Sequence, residues 1–230
     1  MTDAVDKHVY LLRGPTGSLH DPGLHAELRA AGVGRLQVNV DDEPVAAAMR
    51  IPHLDPPVAA VVSTWDGDPS AVATALRQVA ELVHGYAVDE RRRLDPPEVW
   101  DGGRADALAN VAVLRRPAEL PREEWLRRWM VEHTPIAIRT QATSGYVQNV
   151  VTAAVTEGAP AVDAVVEELF PSAGITDMHA FYGSGGDDAE LGRRITELMA
   201  SVSRIGADRD LDLVPTSRYL YELGRGGQEA

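Results

Sequence analysis

The chain has 230 residues, 22 Lys and Arg against 35 Asp and Glu, and a net charge of −13. That field repels phosphate backbones and anionic headgroups, which argues against nucleic acid and membrane surfaces as partners. With no cysteine and 44% hydrophobic residues, disulfides, thiolate nucleophiles and cysteine zinc sites are excluded, and the fold must rest on its core. No stretch approaches the ~18 uninterrupted apolar residues of a membrane helix. The opening MTDAVDKHVYLL has too short an apolar run for a secretory signal. A soluble, cytoplasmic protein is therefore expected. Arg91-Arg92-Arg93 is hemmed in by Asp89, Glu90 and Asp95 and reads as a solvated face.

In chain order, Val9–Arg13 reads as a strand. Asp21–Ala31 follows as a helix, with Asp21 as cap, Pro22 at the first position and Gly32 as stop. Arg35–Val40 and Val58–Trp65 read as strands. Ser70–His84 has the apolar period of a helix, capped by Ser70 and stopped at Gly85, and a short strand near Tyr86–Asp89 closes the half. The stretch 94–104, LDPPEVWDGGR, has the Pro, Gly and Asp of a hinge. Beyond it come a strand at Ala109–Arg115, a helix at Pro121–His133, strands at Tyr146–Ala153 and Val162–Phe170, a helix at Ala189–Ser203 and a last strand at Ser217–Leu223. The final GRGGQEA is expected to fray.

The two halves echo each other. VYLLRGP (9–15) pairs with VAVLRRP (111–117), RLQVNV (35–40) with YVQNVV (146–151), and VAAVVSTW (58–65) with VDAVVEEL (162–169). Three matches in order point to an internal duplication. The fold class expected is α+β: two tandem ferredoxin-like βαββαβ units, 1–104 and 105–230, forming an α+β barrel within one chain. Each unit leaves one sheet face bare, so packing the two together hides both, and the space between the sheets is the natural pocket. Such a chain is a pseudo-dimer as a monomer, or a homodimer.

In EEWLRRWMVEH (123–133), Trp125, Trp129 and His133 step by four and form a nearly straight stripe. Two Trp in the core and a hydrogen-bonded core histidine is one reading. The other is a general acid or base: burial disfavours the imidazolium and a helix C-terminus favours it, so the ring could titrate near neutrality.

PREEWLRRWMVEHTP, SGYVQNVV (144–151) and VDAVVEELF (162–170) together resemble the EthD family of the dimeric α+β barrel superfamily, across roughly residues 108–223. The first half lacks the Trp-Trp-His stripe and looks like a diverged copy. The resemblance implies an apolar or aromatic small-molecule ligand and cofactor-free proton transfer or oxidation. It implies His133 as catalytic, Trp129 as the wall beside it, and Tyr146, Gln148, Asn149 and Asp163 as secondary site residues, with Tyr146 as donor to an oxyanion and Trp125 completing the apolar wall. On the strand 146–151, Tyr146 and Gln148 share one face and Val147 and Asn149 the other. Tyr146 and Gln148 are the pair expected to face the space between the sheets. Trp65 either lines that pocket or plugs it. A non-catalytic binding or structural protein is the alternative, and haem held by His133 a second.

Other signals are bland. The remaining histidines are scattered without metal-ligand spacing, GSGGDD (183–188) reads as a loop, and no Gly-x-Ser-x-Gly elbow occurs.

Overall fold

In the computed structural model, which describes residues 6–224, KHVYLLRGPT forms β1 (Lys7–Thr16), covered on both faces from Lys7 to Arg13. α1 (Pro22–Ala30) is capped as expected, Asp21 Oδ1 accepting from the backbone N–H of Gly23 at 2.7 Å and of Leu24 at 3.3 Å. β2 (Arg35–Val40) and β3 (Val58–Trp65) have the spans expected. Two departures follow. α2 (Pro69–Leu76) is capped by Asp68, not Ser70, and ends eight residues early. The rest of that helical pattern belongs to β4 (Ala80–Leu94).

Pairing overrides the apolar period there. The first part of β4 pairs with β1, from Thr16↔Ala80 to Lys7↔Val88, and its later part with β7 (Gly145–Ala154), from Tyr86↔Ala154 to Leu94↔Tyr146. Gly85 is therefore not a helix stop. It faces Tyr10, and a Cβ at Gly85 would lie 2.6 Å from the Tyr10 ring and 2.9 Å from Val155. Gly85→Ala should accordingly destabilise by about 1–3 kcal/mol, read as a lowered midpoint in chemical denaturation; an unchanged midpoint would show that Tyr10 moves aside freely.

The hinge is also partly ordered, since β5 (Asp101–Arg104) pairs with β9 (Leu211–Glu222). β6 (Leu108–Leu114) precedes a long helical segment made of α3 (Arg122–Arg127), a π-helical turn (Arg128–His133) and α4 (Thr134–Thr140). β8 (Ala164–Phe170), the short α5 (Met178–Tyr182) and α6 (Asp188–Arg204) follow. α5 has no counterpart in the sequence expectations. GSGGDD is the loop expected: Gly183 takes the left-handed conformation ending α5, and Asp187 caps α6. Beyond Gly224 the expected fraying lies outside the described residues.

Eight strands close an antiparallel barrel in the order β2-β3-β1-β4-β7-β8-β6-β9, with β9 returning to β2. The first four and the last four have the same order within their half. β4 and β9 each begin on a strand of their own half and finish on the other, which closes the ring and leaves the short β5 outside it on β9. The halves expected at 1–104 and 105–230 thus share one sheet. The β2–β3 ladder runs from Arg35↔Trp65 to Val40↔Ala60 and the β7–β8 ladder from Gly145↔Leu169 to Val150↔Ala164.

The expected hollow between the sheets is filled. Val9, Leu11, Val61, Val111, Val113 and Val165 pack together there. Beside them lies a buried polar network. Lys7 Nζ lies 2.9 Å from Glu167 Oε1 and 2.8 Å from Glu90 Oε1. Asn149 Nδ2 donates to Glu167 Oε1 at 2.8 Å, Gln37 Nε2 donates to Glu167 Oε2, and Arg218 donates to Gln37. Asn39 Nδ2 donates to Thr216 Oγ1 at 2.8 Å. Burial alone would raise the Glu167 carboxyl, but Lys7 and Arg218 overcome it and hold it down at about 2. No helix among the described residues is long and apolar enough to cross a membrane.

Candidate active site

On the other side of the sheet, between the second half's strands and its helices, lies the main cavity of that side. It has a volume of about 270 Å³ and is walled by Ala112, Leu114, Val166, Leu198 and Val202, with Met49 and Ile51 reaching in from the first half. Trp129, His133 and Tyr146 line it, as do Glu168 and Asn110.

The helix bearing Trp129 and His133 is shaped by Pro135. Proline lacks an N–H and its ring crowds the carbonyl four residues back, here Val131, so the turn before it widens. Trp129 O accepts the backbone N–H of Thr134, and the Thr134 hydroxyl too at 2.9 Å. Gln148 Nε2 donates to that hydroxyl at 2.8 Å. The stripe therefore survives, with Trp125, Trp129 and His133 all buried, although the segment does not end at His133. Because α4 carries the helix on to Thr140, no terminal carbonyls stabilise an imidazolium. Burial, aided by the nearby Arg204, pushes His133 down to about 4. The expected titration near neutrality is thus corrected: the ring is neutral, its Nδ1 3.0 Å from Ser201 Oγ.

Among the residues lining the cavity, the carboxyl that burial pushes towards neutrality is that of Glu168. It stands opposite Tyr146 on one neighbouring strand and Asn110 on the other, three polar side chains in a row on the helix-facing side. Directly opposed residues keep their Cβ atoms about 4.5–5.5 Å apart. Glu168 Oε1, Asn110 Oδ1 and Trp129 Nε1 are buried without hydrogen-bond partners. Burial pushes the Glu168 carboxyl up to about 7. Burial, then the Glu168 charge, pushes the Tyr146 phenol well above its ordinary range, so it stays a proton donor.

The other expected site residues fall elsewhere. Tyr146 and Gln148 face the helices and not the barrel interior, reversing the expected orientation, because Tyr146 belongs to the helix-packed core and Gln148 is bound to Thr134. Gln148 braces the wide turn without lining the cavity. Asn149 sits in the barrel interior on Glu167. Trp125 is core, packed at a tilt on Trp129 with 5.2 Å between centroids, its Nε1 donating to Ile205 O. Asp163 ties the chain before β8 by accepting from the Arg116 N–H at 2.8 Å and facing Arg122 at 3.2 Å. Trp65 plugs: Lys7 Nζ lies 4.8 Å over its ring and Trp100 packs on its edge.

Glu168, Asn110 and Ser201 were missed. One signal was available in VVEELF, where two carboxylates interrupt an otherwise apolar strand. In a strand covered on both faces, alternation buries one carboxylate on each side, and each then needs a reason. Among the described residues no cluster of His, Cys, Asp and Glu could hold a metal ion.

The barrel fold is not unique to the chain. It shares its fold with an anthrone oxidase-like protein. That solved structure aligns with a TM-score of 0.56 at 8% identity, over 99% of this chain and 98% of the other. Two provisionally assigned monooxygenases also align, from Fusobacterium nucleatum subsp. nucleatum (TM-score 0.49, 9% identity, 97% of each chain) and Lactobacillus acidophilus NCFM (TM-score 0.48, 8% identity, 96% of this chain and 98% of that one). No family model matches the sequence, and no curated protein matches it.

Proposed function

We propose that the chain is a small-molecule enzyme of the EthD and anthrone-oxidase-like kind, acting without a bound cofactor on an apolar aromatic ketone. The observation that carries it is the Glu168 carboxylate, whose Oε1 has no partner on the wall of a largely apolar cavity. Desolvation that raises a carboxyl towards the working pH makes it a competent base. Glu168 takes a proton from the acidic carbon of the ring system, and the electron pair passes into the carbonyl as an enolate. Tyr146, protonated beside it, donates to the developing oxyanion. The enolate then reacts with dioxygen from solution: one anthrone and one O2 give one anthraquinone and one water. His133 is a neutral wall and hydrogen-bonding group, not the base.

In the same proposal the halves are duplicated ferredoxin-like units in a one-chain pseudo-dimer. The row in the first half matching Asn110–Glu168–Tyr146 is His8–Thr64–Leu36, which has no carboxylate. Only the second half then carries the reaction.

The test is anthrone oxidation followed by quinone absorbance. The rate should rise with pH through about 7, as Glu168 ionises, and Glu168→Gln should lose it. A folded Glu168→Gln protein with wild-type turnover would remove the base. An anthrone that binds but never turns over would favour a ligand-binding protein. His133→Ala should cost about 1–3 kcal/mol, by leaving the Ser201 hydroxyl buried without a partner, yet leave the midpoint of that pH profile in place. A shift of the midpoint would restore His133 as the titrating group.

A further inference from the structure

Beside the main cavity lies a second space of about 260 Å³, and the two share Met49, Asn110 and Phe181 as lining residues. Ala47, Leu108, Thr176 and Met178 are among its other walls. The strap carrying Ala47 and Met49, between β2 and β3, is held in place across β9. Ile51 and Leu213 exchange backbone hydrogen bonds of 3.0 and 2.9 Å. Asp212 Oδ1 accepts the N–H groups of His53 and Leu54 at 2.8 and 2.9 Å, and its other oxygen is 2.7 Å from Arg115. Met49 and Met178 stand exposed at the rim, unbranched side chains suited to an apolar ligand of irregular shape.

Asn110 is the group at the junction. It is 4% exposed and its Oδ1 is buried without a partner, although it touches both spaces. A carboxamide both donates and accepts, so whichever end faces the junction can meet a hydroxyl. We propose that the second space is a subsite for a hydroxyl-bearing arm of the aromatic ligand, with the hydroxyl bound by Asn110 where the two spaces meet. The ring system occupies the cavity beside Glu168, and the arm runs between Met49 and Phe181 towards Thr176. This rests on the aromatic-ketone reading of the main cavity, and it makes the ligand a substituted polycycle, not a bare one.

The test uses two product-like probes that do not turn over, anthraquinone and hydroxymethyl-anthraquinone, with binding followed by quenching of tryptophan fluorescence. The hydroxymethyl compound should bind the wild type about tenfold more tightly. Asn110→Leu should bring that ratio close to one, whatever it does to the affinity for anthraquinone itself. Ala47→Trp, at an exposed position on the wall of the second space and away from the first cavity's lining, should also bring the ratio close to one, with the anthraquinone affinity held within about twofold. Equal affinities in the wild type, or a preference that survives both variants, would overturn the subsite alone. If neither probe binds the wild type, the aromatic reading of the main cavity fails first and the subsite falls with it.

Discussion

Glu168→Gln is expected to lower anthrone turnover by about 10²–10⁴-fold, the usual contribution of a positioned acid or base, while making the protein more stable at alkaline pH. The second effect follows from linkage. Below the ordinary carboxyl value of 4.5, Glu168 is protonated in both folded and unfolded chains and contributes nothing. As pH rises, the unfolded chain ionises first, the folded carboxyl resists until about 7, and folded stability declines across that window. A rise from 4.5 to about 7 corresponds to up to about 3 kcal/mol. The Gln variant has no such titration. Its unfolding free energy should match the wild type at pH 4 and exceed it at pH 8.5. Parallel stability curves would mean that Glu168 is solvated, and both the base and the linkage would be lost together.

Glu167, one residue earlier on the opposite face, should behave in reverse. Glu167→Gln removes the carboxylate on which Lys7, Gln37 and Asn149 converge. Breaking a buried pair typically costs 3–5 kcal/mol, because the remaining charge stays buried. Glu90 still reaches Lys7, which puts the expectation at the lower end, about 3 kcal/mol. For a chain of this size that lowers the melting temperature by roughly 6–12 °C. The pH signature also inverts. Glu167 is held at about 2, below its ordinary 4.5, so its contribution is present above 4.5 and is lost as pH falls towards 2. Acid unfolding followed by circular dichroism should be steep in the wild type and shallow in Glu167→Gln. Equal acid sensitivity in the two proteins would assign the acid transition to other carboxylates.

Adjacent glutamates with opposite titrations show where sequence reasoning ran out. Alternation put them on opposite faces, but both faces are covered, and nothing local says that one faces a lysine and the other a largely apolar cavity. Lys7 and Glu167 are 160 residues apart in the chain. The Trp-Trp-His stripe was legible because its spacing is local, and so was its burial. The state of His133 was not, because it depends on the helix continuing past Pro135 and on Arg204 from another helix. Likewise Ser70–His84 carries a helical period, yet its second half became a strand. A segment of β4 pairs with β1 and then with β7, and that ladder outweighs the amphipathic pattern.

The sequence by itself determined the α+β alternation, the spans of β2 and β3, the Asp21 cap and the buried aromatic stripe. These rest on periodicity, capping and composition, which act over a few residues. Only the tertiary structure decided that the barrel interior is packed and polar and that the cavity opens under the helices. Only it put Tyr146, Glu168 and Asn110 abreast, because strand register joins residues from distant parts of the chain and decides which buried charge finds a partner.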